Sequence, residues 1–406
     1  MEKKIHRSIN LYPLYYGLSA DLLFYIAINT LFLSIVKGFT ASQIVSLNSI
    51  SQLVCIALEF PCLFVIKKIG NTASVRVAAF LMLFSSVFIT FGNGYFIVLF
   101  GKFLHDVSLM FQSASIVALE NNLDLVDRRK DFVRLRTSGN TMYSVITMLI
   151  SFVASFMFNL YHYLPMIGSI TACTVCLVVS FFIKDFSDNN KIQYKKKRAE
   201  KPKVKYSYFI LIAVLMYGVF YAAVNSGQNE GKLFIQEHLL LDFNVENTAL
   251  ILGAIVCVSR IIRVLSNIVF AKVYEKYLDK IGIFLTLLLS LSIAFILFGT
   301  YIPTTIVKIL IMGFGYTIIL FVRDPFRLYI VDVLFEKIPK EQHQTLLATL
   351  KFSTKVGIAL LGLVFSAILL AYPMKLVMSI VFGISIVVVI LSIIVYRSLS
   401  YGKKIN

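Results

Sequence analysis

The chain has 406 residues, 58% hydrophobic and 15% charged, with a mean hydropathy of +0.83. Soluble domains carry about a quarter charged residues, so this composition excludes a water-soluble globular protein and points to one embedded in lipid. The formal charge of +18 does not signal nucleic acid, because the Lys and Arg residues fall between apolar runs instead of on one face of a domain.

A membrane-spanning helix needs about 20 predominantly apolar residues. Apolar runs broken by charge, Gly or Pro predict spans over 10–36, 41–67, 73–91, 94–120, 136–159 and 163–183. A second set is predicted over 206–235, 246–274, 281–300, 304–332, 343–371 and 373–397. The first run is too long for a cleavable signal and lacks a small-residue cleavage site, so it reads as a retained span. In the seventh run, Asn225 to Gly231 (NSGQNEG) is a string of poor helix formers. It reads either as a break lining a binding site or as the end of the span.

Basic residues alternate from gap to gap. Lys3, Lys4 and Arg7, then Lys67, Lys68 and Arg76, then Arg128, Arg129, Lys130, Arg134 and Arg136 share one side; the opposite gaps offer only Lys37, Lys232 and Lys375. Positive charge in short loops marks the cytoplasmic side, so both termini are expected in the cytoplasm of a cell with this protein in its cytoplasmic membrane. Tyr must serve as the interfacial aromatic in a chain without Trp, with Tyr12, Tyr15, Tyr161, Tyr163, Tyr206, Tyr208, Tyr301, Tyr372 and Tyr396 as candidates. The five Cys residues fall inside apolar runs; Cys173 and Cys176 form a C-x-x-C with no second pair or His beside it, so they read as packing residues and no metal or cofactor is expected.

The basic stretch 184–205 is the longest polar gap and divides the chain into bundles at 1–183 and 206–406. Weak internal repetition supports that division. Tyr16-Gly17 corresponds to Tyr217-Gly218, Thr40-Ala41 to Thr248-Ala249, Ser51 and Gln52 to Ser259 and Arg260, and Phe103-Leu104-His105-Asp106 to Phe321-Val322-Arg323-Asp324. The reading is an all-α membrane protein of twelve transmembrane helices in two pseudo-symmetric six-helix bundles.

On these features the chain resembles the major facilitator superfamily. The family's G-x-x-x-D-R-x-G-R-K loop corresponds to Leu63–Thr72, where Gly70 is kept while Lys67 takes the acidic position and Asn71 an arginine position. Gly101-Lys102-Phe103-Leu104 is similar to the family's G-R-x-L, with Lys for Arg, and span five lacks the Gly-Pro pattern of many drug-proton antiporters. The resemblance implies a transporter, acting as a monomer by alternating access, with export favoured over uptake on family frequency alone.

A charged side chain at mid-membrane costs about 2.5–3.5 kcal/mol on insertion scales, so it persists only against protein or water. Mid-span ionisable residues are Asp21, Lys102, His105, Asp106, Arg260, Arg263, Arg323, Asp324 and Arg327; span two adds Gln52 and span seven adds Asn225, Gln228, Asn229 and Glu230, while spans three, six, nine and twelve have no ionisable residue in their middles. In the family fold every third helix faces lipid, which would explain that periodicity. Gln52, Lys102, Asn225, Gln228, Arg260, Arg263, Arg323 and Arg327 are expected to bind substrate, and Asp21, Asp106 and Asp324 to couple protons. An internal Asp324–Arg327 pair at i,i+3 is the competing structural reading. Mid-membrane cations outnumber anions, which points to an anionic or zwitterionic small organic solute. A lipid or amphiphile translocase of the same fold, or a membrane sensor, are the alternatives. G-x-S-x-G, H-E-x-x-H and phosphate-cradling Gly loops are absent, so no enzyme activity is expected.

Overall fold

The computed structural model describes residues 2–187, 208–335, 337–338 and 343–403. The described residues are helical without strands: α1 (Glu2–Ser19), α2 (Tyr25–Leu31) running into a π-helical turn Phe32–Val36, α3 (Ala41–Ile69), α4 (Asn71–Phe91), α5 (Tyr95–Gln112), α6 (Ala114–Leu125), a 3-10 turn Arg129–Asp131, α7 (Phe132–Leu160) and α8 (Leu164–Ser180). Then follow α9 (Tyr208–Asp242), α10 (Val245–Gly299), α11 (Thr305–Phe335), α12 (His343–Ile368) and α13 (Met374–Lys403).

Nine of the described helical stretches are long and apolar enough to cross a membrane. Of the twelve expected spans, the first, fourth and sixth are the short or interrupted ones: α1 and α2 are separated at Ala20–Phe24, α5 and α6 at Ser113, and α8 has 17 residues. Spans eight and nine, expected as separate helices, are one helical run in α10, with apolar stretches at Val245–Ser266 and Lys280–Gly299. Neither a break nor an early end of the helix occurs at Asn225–Gly231: α9 runs unbroken for 35 residues through that stretch. Its small residues are packed instead of unwound, since a Cβ on Gly227 would come 2.7 Å from Ile319 Cδ1. Small residues let membrane helices approach closely, and buried backbone without water is best satisfied as helix.

Contacts divide the chain into two units, one of Met1–Asn29 with Val54–Val204 and the other of Thr30–Leu53 with Lys205–Asn406. Thr30–Leu53 joins the second unit through small polar side chains. Ser42 and Ser366 exchange hydroxyl-to-carbonyl bonds of 2.7 and 3.1 Å, Gln236 Nε2 donates to Ser34 Oγ at 2.7 Å, and Gly362 leaves space for Ser49.

Within each unit the helices pair alike. In the first, α1 packs on α7 and α8, and α4 on α5 and α8; in the second, α9 packs on α12 and α13, and α10 on α11 and α13. The repeated residues lie at matching contacts. A Cβ on Gly17 would meet Met142 of α7 at 2.9 Å, and one on Gly218 would meet Ser353 of α12 at 3.2 Å. Gly101 of α5 also lies on Phe88 and Ile89 of α4, and Gly315 of α11, outside the repeated residue pairs, on Ser292 and Ile296 of α10. The structure therefore repeats one packing scheme in both halves, as the internal repetition predicts.

The first unit's core gathers Tyr15, Cys55, Cys62, Val75, Ala78, Phe111 and Cys176, with Tyr15 Oη donating to Val75 O at 3.2 Å. Tyr12 is also buried, against Ile9, Leu119 and Leu123. Tyr12 and Tyr15 are thus core residues and not the interfacial aromatics expected, because each ring sits on the buried face of α1. Tyr161, Tyr208, Tyr301 and Tyr372 are exposed near helix ends; Tyr206 lies outside the described residues.

Residues 184–187, expected to begin a linker, are pinned to the first unit. The Asp185 carboxylate, on a residue 5% exposed, accepts from Asn71 Nδ2 and Asn121 Nδ2 at 2.7 Å each and from Ser187 N and Oγ at 2.9 and 2.6 Å. Asn122 Nδ2 donates to Lys184 O at 2.7 Å, and Ser8 Oγ bonds both the N and the O of Lys184. The remainder of that stretch, 188–205, lies outside the described residues. Asp185→Ala is expected to lower stability by about 2 kcal/mol through the lost charge-assisted bonds, read as a fall in melting temperature in detergent. An unchanged melting temperature would mean that water replaces these partners without cost.

Candidate functional site

In the first unit the polar groups converge on the gap between α1 and α2. Ala20–Phe24 is not helical, and the Asp21 carboxylate accepts the backbone N–H of Leu22 at 2.8 Å, the local bond by which Asp competes with helix. Irregular backbone at membrane depth is tolerated where protein or a hydrated space surrounds it.

α5 brings three residues to the same place. Lys102 and Asp106, four apart, form an ion pair with Nζ 2.9 Å from Oδ1. His105 Nδ1 is 3.2 Å from Lys102 Nζ and 3.1 Å from the same Asp106 oxygen. Its Nε2 is 3.1 Å from Asp21 Oδ1, within ion-pair range, although the ring N–H is not aimed along that line and makes no directed hydrogen bond. His105 and Asp106 are buried at 5% and 6%, while the Asp21 side chain retains 33% exposure. The shared face of Lys102, His105 and Asp106 is as the helical spacing predicts. His105 as the link to Asp21 is what the sequence did not show, because a lone buried His is usually just satisfied in place.

The chemistry of this cluster follows from Nδ1. As a bare nitrogen it accepts from the Lys102 ammonium; carrying a proton, it can donate only to Asp106. One ammonium faces two carboxylates, leaving one net negative charge that an imidazolium cancels. A single proton therefore changes both the hydrogen bonding and the net charge of the cluster.

In the second unit Asp324 is held across helices by Arg263 of α10, with Nε to Oδ2 at 2.7 Å and Nη2 to Oδ1 at 3.3 Å. The competing reading, an Asp324–Arg327 pair, gives way to this bidentate one, which matches the planar fork of the guanidinium to the carboxylate, and Arg327 is exposed. Arg323 donates Nη1 to Gln228 Oε1 of α9 at 3.3 Å, and Tyr221 Oη donates to the Arg323 carbonyl at 2.8 Å. The Tyr221 bond sits two residues before Pro325, through which α11 continues as helix. Arg260 is half-buried with its Nε unpartnered, as is Gln228 Nε2. Gln52 and Asn225 are half-buried on α3 and α9. The repeated pairs His105-Asp106 and Arg323-Asp324 thus each carry a carboxylate bound by a cation, from the same helix in the first unit and from a neighbouring helix in the second.

The fold is shared with solved transporters. The nucleoside transporter NupG superposes with a TM-score of 0.76 at 12% identity, over 97% of this chain and 99% of that one. A bacterial homologue of the iron transporter ferroportin gives 0.69 at 11%, over 96% and 98%, and a bacterial homologue of the lysosomal transporter Spinster gives 0.68 at 11%, over 96% of each. The chain has the fold of the major facilitator superfamily. No family model and no curated protein sequence matches it. Within the major facilitator fold, the altered loop motif has a local structural role here: Asn71, at the arginine position, bonds Asp185 of its own unit. Lys102, at the arginine of the G-R-x-L element, is committed to Asp106.

Proposed function

We propose that this protein is a secondary active transporter that moves a small organic solute across the cytoplasmic membrane by alternating access, coupled to protons. The fold and the solved transporters that share it support the transport reading. The proton reading rests on one observation: a His105 ring held between Asp21 and Asp106, with Lys102 on the same nitrogen. Imidazole titrates near neutral pH in its ordinary state, so a proton taken at Nδ1 releases Lys102 from the ring and ties His105 to Asp106. A device of this kind biases two conformations whenever they differ in affinity for the proton. Asp324, held by Arg263, is the corresponding carboxylate of the second unit.

The functional bundles are taken as 1–183 and 206–406, both termini cytoplasmic, with one copy sufficient for transport. Gln52, Lys102, Asn225, Gln228, Arg260, Arg263, Arg323 and Arg327 are assigned to the solute pathway. Export is preferred to uptake by analogy with the fold's other members. A second reading, translocation of an amphiphile, is favoured by one feature of the second unit: a cavity of about 390 Å³ lined by Val269, Phe270, Ile281, Phe284, Leu285, Phe321 and Pro325, with Lys280 among its walls.

Proteoliposomes with an imposed pH gradient, loaded with a panel of nucleosides, organic anions, organic cations and short-chain lipids, test this. Gradient-driven accumulation of at least one solute is expected for the wild type. Asp21→Asn should retain exchange of that solute while losing the response to the gradient. Flux indifferent to pH in both proteins would end the proton reading, and no flux with any solute would favour a sensor.

A further inference from the structure

The second unit holds more positive charge than its own carboxylates neutralise. Arg260 and Arg263 of α10 lie within electrostatic reach of Arg323 of α11. Arg263 is engaged by Asp324, whereas neither Arg260 nor Arg323 has a carboxylate within ion-pair distance among the described residues. Glu230 of α9, 5% exposed, does not supply one: its Oε2 is unpartnered.

Two unpartnered buried atoms at these residues are donors, Arg260 Nε and Gln228 Nε2. The Gln228 carboxamide is oriented by Arg323, whose Nη1 takes its oxygen at 3.3 Å and so turns the NH2 away to other use. Arg323 is in turn placed by Tyr221, which holds its backbone carbonyl. The ring of Tyr316, 7% exposed, stands within electrostatic reach of both Arg260 and Arg323. Buried donors left unmet are costly, and a water-filled or ligand-filled seat removes that cost.

We infer that Arg260, Arg323 and the Gln228 carboxamide form an oxyanion site that takes the phosphate group of a phosphorylated organic solute. Two guanidiniums without counter-charge match a phosphate monoester dianion; a monocarboxylate would leave one of them unneutralised. Donors arriving from α9, α10 and α11 suit a tetrahedral oxyanion better than a planar carboxylate, and Arg is the side chain suited to phosphate in a partly dry site. This inference names the solute class for the transport reading and rests on it for the site's purpose, but binding is measured apart from flux.

The full chain in nanodiscs of zwitterionic lipid is titrated with inorganic phosphate, benzyl phosphate, benzoate and benzyl alcohol, reading melting temperature and affinity. Benzyl phosphate should bind about tenfold or more tightly than benzoate, and benzyl alcohol should leave the melting temperature unchanged. Inorganic phosphate compares the anion alone with the organic ester, and tighter binding of the free ion would overturn an organic solute. Arg260→Gln and Arg323→Gln should each weaken benzyl phosphate about tenfold or more, as loss of a charge-assisted hydrogen bond implies. Arg260→Lys should weaken it less, and Arg128→Gln not at all. A readout independent of any variant is the wild-type pH profile: affinity should fall below about pH 6 as the ester loses its second charge. Equal binding of benzoate, indifference to both arginines, or no binding by any anion would overturn the site. Proton-driven flux without anion binding would sink only this inference, and anion binding without flux only the transport reading.

Discussion

Asp106→Ala is expected to destabilise the first unit by about 3–5 kcal/mol, the cost of leaving a buried cation without its partner. The Lys102 ammonium lies 2.9 Å from Asp106 Oδ1, with side-chain exposures of 16% and 5%, and His105 Nδ1 shares that oxygen. An exposed pair would contribute only about 0–1 kcal/mol, so the size of the effect reports burial. The double variant Lys102→Met/Asp106→Leu should recover most of the loss, because exchanging a whole buried pair for apolar residues is often close to neutral. Melting temperatures of the two variants, measured in the same detergent, decide it. A single variant as stable as the wild type would show that the pair is hydrated and place the proton chemistry elsewhere.

The second large effect is expected at the link between α10 and α11. Asp324→Ala removes the carboxylate that engages both Nε and Nη2 of Arg263 and leaves Arg263 without its counter-charge within electrostatic reach of Arg323. The side chains keep 22% and 24% exposure, so the buried-pair range is discounted to about 2–4 kcal/mol. Exchanging the charges, Arg263→Asp with Asp324→Arg, should restore part of the stability if the pair is structural. It should not restore proton-coupled flux if Asp324 also carries a proton during transport. Recovery of both would reduce Asp324 to a packing role.

Asp324 also shows where sequence reading stopped. Its i,i+3 neighbour Arg327 was the natural partner within one helix, but a bidentate fork from α10 gives better geometry, and helix-to-helix facing is not encoded in spacing along one strand of sequence. The same holds at Asn225–Gly231, where poor helix formers suggested a break. Close packing of Gly227 on Ile319 keeps that stretch helical. The break came at Ala20–Phe24, which contains neither Gly nor Pro, and only the Asp21 bond to Leu22 N and the approach of His105 give it a cause. Asp185 and its amide partners carried no signal, since Asn71 and Asn121 are brought to it from two other helices.

Hydropathy, the even spacing of apolar runs and the repeated residue pairs determined by themselves that this is an all-helical membrane protein built twice on one plan. Lipid imposes those features on every span, so they are written locally and read without coordinates. The depth of Asp21, Lys102, His105, Asp106, Arg260, Arg263, Arg323 and Asp324 in apolar runs was equally plain, because charge in hydrocarbon is costly wherever it falls. Partnership was decided only by the tertiary structure: His105 between two carboxylates, Arg263 on Asp324, Arg323 on Gln228. Those contacts depend on the angular setting of one helix against another, which is fixed by packing of small residues such as Gly101, Gly218 and Gly315, and periodicity along a single helix does not contain it.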